Sequence, residues 1–179
     1  MRNKKSRLVW EKDGSWRLVV ETAVLPDNTP YERAFVEHPG AVVLVPLRQT
    51  VFGPELVMLR QYRRALDETI LELPAGTRGW DEDWLVCAQR ELREETGFRA
   101  EELTLLGEIW PTPGISNELM QIYLATGLQA DPLPQDVDEE IALQPILLAD
   151  LMAMARDGRI RDAKSIIGIL RAADFLKID

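Results

Sequence analysis

The segment GTRGWDEDWLVCAQRELREETGF, residues 76–98, constrains the fold of this chain more than any other. It predicts a helix that either Asp81 or Asp83 caps at its start and that Gly97 closes at its end. Apolar residues at helical spacing are expected to anchor this helix to the rest of the fold, and they are Leu85, Ala88 and Leu92.

Three glutamates crowd the second half of the predicted helix, although like charges four residues apart repel each other by about 0.2–0.5 kcal/mol. At about 100° per residue, Glu91 and Glu95 lie roughly 40° apart, and Glu94 lies roughly 60° to the other side of Glu91. The three carboxylates therefore face one sector. Such a group suits Mg²⁺, which takes oxygen ligands and shares them with substrate phosphates. The alternative is an ordinary solvent-exposed helix whose arginines balance its glutamates.

The spacing of this segment bears on the choice between the two interpretations. It runs glycine, five residues, glutamate, seven residues, and then Arg-Glu-aliphatic-any-Glu-Glu-any-Gly-apolar. The pattern resembles the signature of the Nudix hydrolase family, the Nudix box. Its fixed identities are met by Gly76, Glu82, Arg90, Glu91, Glu94, Glu95 and Gly97. Phe98 stands where a smaller aliphatic residue is commoner, which we interpret as a packing variant. With both glycines and Glu82 in register, the functional interpretation outweighs that of a surface helix.

The resemblance implies a fold of the α/β class, in which a mixed β-sheet is sandwiched between helices and carries an N-terminal β extension. Residues 1–38 are expected to form this extension and residues 39–179 the hydrolase domain. Strands are indicated at residues 18–22, 31–37, 41–47, 55–62, 70–76, 103–110 and 120–126, and closing helices at residues 147–158 and 162–176. The continuous apolar run at 41–47 predicts a strand covered on both faces.

The same resemblance implies a hydrolase that cleaves a nucleoside diphosphate linked to another group. In this chemistry, divalent ions neutralise charge on the diphosphate and activate the attacking water. The expected cofactor is Mg²⁺, with Mn²⁺ possible. The expected metal ligands are the backbone carbonyl of Ala75 and the side chains of Glu91, Glu95 and, close by, Glu94. Arg90 and Glu82 carry over as a pair that tethers the loop before the helix.

Outside the box, four segments resemble the ADP-ribose pyrophosphatase branch of the family: LRQYRR followed by LELPAG, PTPGISNE, DVDEEI and RDGRIRDAKSIIGIL. This resemblance spans residues 33–176 and implies hydrolysis of ADP-ribose to AMP and ribose 5-phosphate. Arg63 matches a phosphate-binding arginine, and Arg33 matches an arginine that contributes to the pocket. Glu72 and Glu118 match acidic positions near the nucleotide sugar.

The acidic loop departs from the branch at one position. There the loop often reads Asp-Glu-x-Glu, and its first glutamate is the base that activates water; here Val137 takes that place. Since a valine cannot accept a proton, we expect Glu139 to act as the base and to help hold the metal. Asp136 or Asp138 is an alternative, as is activation by the metal ions alone. The departure also weakens the preference for ADP-ribose over other nucleotide sugars.

The branch forms homodimers in which the N-terminal segment of one subunit helps to build the pocket of the other, and the resemblance implies the same here. Trp10 and Trp16 lie in this segment. Either one of them stacks on the nucleobase, or both pack at the dimer interface.

The composition limits which kinds of partner this protein can bind and in which cellular compartment it is expected. The formal net charge of −9 disfavours a sequence-independent nucleic-acid binder, which needs a basic face. The single cysteine permits no internal disulfide, and neither an apolar run of about 20 residues nor a secretory signal pattern is found. We therefore expect a cytoplasmic protein that contacts no membrane. The only histidine, His38, is expected to be structural, so the general base should be a carboxylate.

Two other functions remain as alternatives. The first is hydrolysis of GDP-mannose or another NDP-sugar on the same fold. The second is a non-catalytic sensor of nucleotide sugars, which would be expected to have a damaged box or an added DNA-binding module. The complete box favours an enzyme.

Overall fold

The computed structural model describes residues 2–12, 14–134 and 140–178. In chain order the strands are β1 (Arg2–Glu11), β2 (Arg17–Val24), β3 (Pro30–Glu37), β4 (Ala41–Thr50), β5 (Gly53–Arg63), β6 (Glu68–Glu72), β7 (Ala75–Thr77), β8 (Phe98–Arg99), β9 (Glu102–Ile109), β10 (Met120–Thr126), β11 (Gln129–Ala130) and β12 (Ile141–Leu147). The helices are α1 (Trp84–Thr96), α2 (Leu148–Arg156) and α3 (Ala163–Leu176). The strands and helices that the sequence indicated are present with ends shifted by a few residues, except the single strand expected at residues 70–76. That segment forms two strands, because β6 pairs with β5 whereas β7 pairs with β4, and Pro74, which has no amide hydrogen to donate, lies between them.

The N-terminal residues form a separate three-stranded antiparallel sheet in the order β1-β2-β3. Between β2 and β3, the Leu25 amide donates to the Thr29 carbonyl (3.0 Å), and Asn28 adopts a left-handed φ of 67°. Asn tolerates this conformation better than most residues do. Apolar and polar residues do not alternate in the sequence of β1, and its strand conformation follows from pairing with β2.

The larger sheet is mixed and has the order β12-β5-β4-β10-β9. Only the β4–β10 pair is parallel, and the other pairs are antiparallel. The first residues of β4 pair with β7, whereas its last residues pair with β5. This change of partner along β4 places the short strand β7, the start of the box, beside the centre of the sheet.

Strand β4 is buried on both faces, as its continuous apolar run predicted. Val43, Val45 and Leu47 point to one side, where they pack with residues of α2 and α3. Val42 and Leu44 point to the other side and pack with α1. The sheet is therefore sandwiched between helices. Burial of each such aliphatic side chain contributes about 1.5–3 kcal/mol.

The predicted apolar stripe of α1 is wrong at one position. Asp83 is the N-cap, so the helix begins at Trp84, and Leu85 is 50% exposed. Trp84 packs against the core in place of Leu85, since it is spaced four and eight residues before Ala88 and Leu92. The predicted end is confirmed, because Gly97 has a φ of 74° and its amide donates to the Arg93 carbonyl.

Candidate active site

Glycine is required at position 76 because the carboxylate of Glu91 occupies the space that a side chain would fill. A Cβ built on Gly76 would lie 1.8 Å from the Cδ atom of Glu91, far inside van der Waals contact. Glu91 itself is only 9% exposed. Strand β7 and helix α1 thus approach each other closely through a glycine and a glutamate of the box.

The same strand meets Glu95 through its backbone. The Ala75 amide donates to Oε2 of Glu95 (2.8 Å), and Glu95 is 2% exposed. Buried carboxylates require hydrogen-bond donors or cations around them. Glu91 and Glu95 are therefore fixed against β7 on the inner side of α1, next to the backbone of Ala75. These are three of the five expected metal ligands; Glu94 lies nearby on α1, and Glu139 lies outside the described residues.

Arg90 lies at the centre of the box and binds three glutamates. Its guanidinium donates to both oxygens of Glu82 (2.9 and 3.0 Å), to Oε1 of Glu91 (2.6 Å) and to Oε2 of Glu94 (2.9 Å). The hydrogen bond from Arg90, foremost, lowers the pKa of Glu82 to about 2. The structure thus brings together the Arg90–Glu82 pair that was predicted from the spacing.

The loop before α1 is held by an arginine that the sequence analysis did not single out. Arg78 donates to the carbonyl of Pro39 from Nε (3.0 Å) and Nη2 (2.7 Å), and to the carbonyl of Glu82 from Nη1 (2.5 Å). Its guanidinium also lies 4.6 Å from the centre of the Trp84 ring. Its hydrogen-bond partners are backbone carbonyls, one of them 39 positions away, and no sequence pattern marks such contacts. Only the folded chain therefore shows this role.

The box offers oxygen donors that fit a hard divalent cation. Within residues 2–12, 14–134 and 140–178, no three Asp, Glu, His or Cys side chains are gathered tightly enough to form a cation site by themselves. Mg²⁺ commonly binds through one or two carboxylates and completes its shell with water and substrate phosphates. Glu91 and Glu95, held beside β7, are two carboxylates of the kind that this mode of binding uses.

A cavity of about 430 Å³ opens beside β7. Its volume lies within the usual range for small-molecule sites, about 300–1,000 Å³. Residues that are far apart in the sequence line it, among them Arg63, Glu72, Ala75, Gly76, Glu118 and Lys164. Three predicted substrate-binding residues and the first box residues therefore share one cavity.

Arg63 and Glu72 form a bidentate ion pair in this cavity. Nε and Nη2 of Arg63 donate to the two oxygens of Glu72 at 2.8 and 2.7 Å. Burial lowers the pKa of Arg63, but the hydrogen bond and charge of Glu72 outweigh this effect, and the pKa is raised. Glu72 is 1% exposed and also accepts a hydrogen bond from Lys164, which the sequence analysis did not identify.

Glu118 lies at another part of the cavity wall, and His38 lies beside it. Nε2 of His38 is 3.8 Å from Oε1 of Glu118. Burial raises the pKa of Glu118, although the charge of Lys164 opposes this shift. Burial lowers the pKa of His38, whose Nδ1 accepts a hydrogen bond from the Gly40 amide (3.1 Å). These contacts agree with a structural role for His38.

Other predicted residues lie apart from the cavity or outside the described residues. Arg33 is exposed and donates to the Gly114 carbonyl (2.7 Å), so it contacts the PTPGISNE loop and not the cavity wall. Trp10 and Trp16 contact each other on the N-terminal sheet, with ring centres 5.0 Å apart and an interplanar angle of 54°. Glu139 and its neighbours Asp136, Val137 and Asp138 lie outside the described residues.

Comparison with known proteins gives the family. A sequence model of the NUDIX domain matches residues 37–166. The chain belongs to the Nudix family. The match includes the whole box and all the residues that line the cavity, so the Nudix resemblance inferred from the box is confirmed.

Several known proteins are similar to this Nudix chain. A methanol dehydrogenase activator of Bacillus methanolicus is 34% identical over 155 residues, which are 86% of this chain and 82% of that protein. An ADP-ribose pyrophosphatase of Bacillus subtilis (strain 168) is 33% identical over 154 residues, with 85% and 82% covered. A GDP-mannose pyrophosphatase of Cronobacter sakazakii (strain ATCC BAA-894) is 31% identical over 137 residues, with 72% and 70% covered.

A solved structure supports the fold independently. The crystal structure of an ADP compounds hydrolase superposes with a TM-score of 0.79 at 22% identity, and the match covers 97% of this chain and 92% of that one. The Nudix fold, with its mixed sheet between helices, is therefore confirmed. None of the helices in the described part of the chain is both long and apolar enough to cross a bilayer.

Proposed function

We propose that this Nudix protein hydrolyses the diphosphate bond of a nucleoside diphosphate sugar, and that ADP-ribose, cleaved to AMP and ribose 5-phosphate, is the preferred substrate. The observation that carries the proposal is the complete box, whose first residues, Gly76 and Thr77, line a cavity that also presents Arg63. The similarity to an ADP-ribose pyrophosphatase supports the choice of ADP-ribose.

Each residue of the site has a proposed role. Glu91, Glu95 and the carbonyl of Ala75 hold Mg²⁺ or Mn²⁺, with Glu94 close by. When bound, the cation supplies charge neutralisation at the diphosphate and a water of lowered pKa. Arg90 fixes Glu82 and orients Glu91 and Glu94 through the hydrogen bonds described above.

The remaining polar residues are proposed to bind and orient the substrate. Arg63 donates to a phosphate, because a guanidinium fork matches phosphate geometry. Glu118 and Glu72 line the same cavity and are proposed to act near the sugar, Glu118 by contact and Glu72 through its ion pair with Arg63. Arg33 shapes the neighbouring loop through its bond to Gly114. Glu139 is the proposed base and a further metal ligand.

The proposed assembly is a homodimer in the cytoplasm, with the N-terminal sheet of one subunit placed against the pocket of the other. Exposed apolar side chains on β1 support an interface there: Leu8, Val9 and Trp10 are 52, 46 and 50% exposed. Trp10 or Trp16 would then stack on the nucleobase or pack between the subunits.

Hydrolysis of GDP-mannose or another NDP-sugar is the second candidate. It is favoured by the similarity to a GDP-mannose pyrophosphatase and by Val137 in the acidic loop. A non-catalytic sensor is disfavoured because Glu91 and Glu95 are both buried against β7 in a complete box.

A panel of nucleotide sugars, incubated with Mg²⁺ or Mn²⁺ and analysed by mass spectrometry, tests the proposal. We expect ADP-ribose to be cleaved fastest, and ¹⁸O-labelled water to identify the phosphorus that is attacked. Replacing both Glu91 and Glu95 by Gln should lower kcat by about 10²-fold or more, because the electrostatic stabilisation is lost. Glu102→Gln, an exposed carboxylate-to-amide change, is the matched control. If the wild-type protein leaves every nucleotide sugar intact, the proposal is wrong.

A further inference from the structure

A network of four charged side chains connects the first turn of α3 to the cavity. Lys164 donates to Glu72 and, at 2.9 Å, to Oδ2 of Asp162. Glu72 in turn accepts the two bonds from Arg63. The order is therefore Asp162–Lys164–Glu72–Arg63, with alternating charges that balance.

The inner members of this network are buried. Glu72 is 1% exposed and Lys164 is 8% exposed, whereas the side chain of Arg63 is 38% exposed at the cavity. A buried charge is tolerated only where partners surround it. Because Glu72 is almost fully covered, it acts on a ligand through Arg63 and not by direct contact.

The backbone beside Glu72 is fixed from the same helix turn. Asp162 is the N-cap of α3 and accepts from the Ser165 amide (3.1 Å). The Ser165 hydroxyl accepts from the Leu73 amide (2.7 Å), immediately after Glu72. The start of α3 thus holds the end of β6 both through its backbone and through the Glu72 carboxylate.

We propose that Lys164 is a positioning residue that fixes the Glu72 carboxylate and so orients the Arg63 guanidinium towards a phosphate of the substrate. This inference rests on the proposed function for the identity of the ligand. Arg63 uses Nε and Nη2 for Glu72, and in the described part of the chain no hydrogen bond from Nη1 is found. Nη1 is therefore the group that is oriented to donate to the substrate.

Lys164 also determines how much of the positive charge of Arg63 is available to an anionic ligand. With Lys164 between them, Glu72 and Asp162 share a second cation. Without it, both carboxylates would be left to Arg63, which would be drawn towards them and away from an anionic ligand. A displacement of about 1 Å at a positioning group can cost about 10²-fold in rate.

The test is a double-mutant cycle of Arg63→Ala and Lys164→Met, with kcat and KM measured for the best substrate of the panel. We expect Lys164→Met to lower kcat/KM by about 10- to 100-fold, mainly through KM. In the Arg63→Ala background the same change should have less than about a twofold effect. Lys164→Arg should restore KM most of the way. Lys177→Met, at the exposed far end of α3, is the matched control.

Two outcomes would overturn the inference. If Lys164→Met is equally harmful without Arg63, then Lys164 contacts the substrate itself. If it lowers only the melting temperature and leaves KM unchanged, its role is merely structural. Should Lys164→Met fail to fold, Asp162→Asn keeps a capping side chain, removes the charge beside Lys164, and should raise KM only when Arg63 is present.

The Arg63 Nε–H resonance gives a readout that does not depend on turnover. It can be assigned by its loss in Arg63→Lys and compared between wild type and Lys164→Met. We expect the resonance to shift or broaden when Lys164 is lost, and an unchanged resonance would contradict the positioning role. A protein that cleaves no nucleotide sugar but shows this shift would refute the proposed function alone.

Discussion

At the scale of the residue, the site depends on how closely single groups approach each other. The carboxylate of Glu91 lies where a Cβ of residue 76 would be, and the Ala75 amide binds Glu95. These two contacts join one short strand to one helix face. A change as small as a methyl group at this junction should therefore affect catalysis more than stability.

Gly76→Ala tests this closeness. The new Cβ, 1.8 Å from Cδ of Glu91, must displace a carboxylate that is also bound to Arg90. We expect kcat/KM to fall about 10²-fold, because a group that orients the chemistry moves by an ångström or more. Steady-state kinetics on the preferred substrate measure this.

Gly79→Ala is the control for that substitution. Its Cβ would lie 3.4 Å from Cβ of Glu82, an ordinary van der Waals contact, so activity should stay within about twofold of wild type. Equal activities for the Gly76 and Gly79 variants would mean that the Glu91 carboxylate is not in the position described.

Glu139→Gln tests the proposed base. If Glu139 accepts the proton of the attacking water, its amide should lower kcat by about 10²–10⁴-fold, the usual contribution of general base catalysis. The same change at Asp136 and Asp138, to Asn, gives the comparison. A kcat near the wild-type value in Glu139→Gln, with a large loss in one Asp variant, would move the assignment to that residue.

At the scale of the element, helix α1 holds the proposed metal-binding glutamates through its cap and its buried face. Oδ1 of Asp83 accepts from the amides of Leu85 (2.9 Å) and Val86 (3.3 Å), which satisfies donors that begin every helix. The C-terminal half is fixed by Gly97 and by the burial of Leu92. The first turn of the helix can therefore fray without moving Glu91 and Glu95.

Asp83→Ala should lower the free energy of unfolding by about 1 kcal/mol, the usual value of an N-cap. Urea denaturation followed by circular dichroism measures it. Activity at 25 °C should persist, because the glutamates lie two turns further along. A large loss of activity without loss of stability would show that the cap also positions the box.

The exposed position of Leu85 leads to a separate expectation for the same helix. Leu85→Gln should change the free energy of unfolding by no more than about 0.5 kcal/mol. Leu92→Ala, at a fully buried position, should cost about 2–5 kcal/mol. If both substitutions are equally destabilising in urea, the face assigned to α1 is wrong.

At the scale of the whole molecule, the N-terminal sheet is separate from the larger sheet and leaves apolar side chains exposed to solvent. Strand β1 lies at the edge of its sheet and presents Leu8, Val9 and Trp10 to solvent. Exposed edge strands with apolar side chains readily pair with another chain. The proposed dimer would cover this surface.

Light scattering after gel filtration should give a mass twice the 20.3 kDa of one chain. Leu8→Lys combined with Trp10→Lys should shift the protein towards the monomer and reduce kcat/KM, because the second subunit is expected to complete the pocket. Phe52→Lys, at an 83% exposed hairpin tip, is the control. A wild-type monomer with full activity would exclude the exchange of N-terminal segments.

The sequence by itself determined the box, the helix that carries it and the double burial of β4. These features are local, since helical periodicity fixes which residues share a face and a continuous apolar run indicates two covered faces. The fixed spacing of Gly76, Glu82 and the later glutamates was enough to predict the family. Even here, the position of the centre of the buried face, which the sequence did not fix, decided that Trp84 and not Leu85 would face the core.

Only the tertiary structure decided which distant groups meet at the cavity and around the box. Lys164 and Glu72 are 92 positions apart, and Arg78 binds a carbonyl 39 positions away. Such contacts depend on how the sheet orders its strands and where α3 begins, and no periodicity in the sequence encodes them. Burial likewise changes the role of Glu72, because a carboxylate that is 1% exposed must act through its partners.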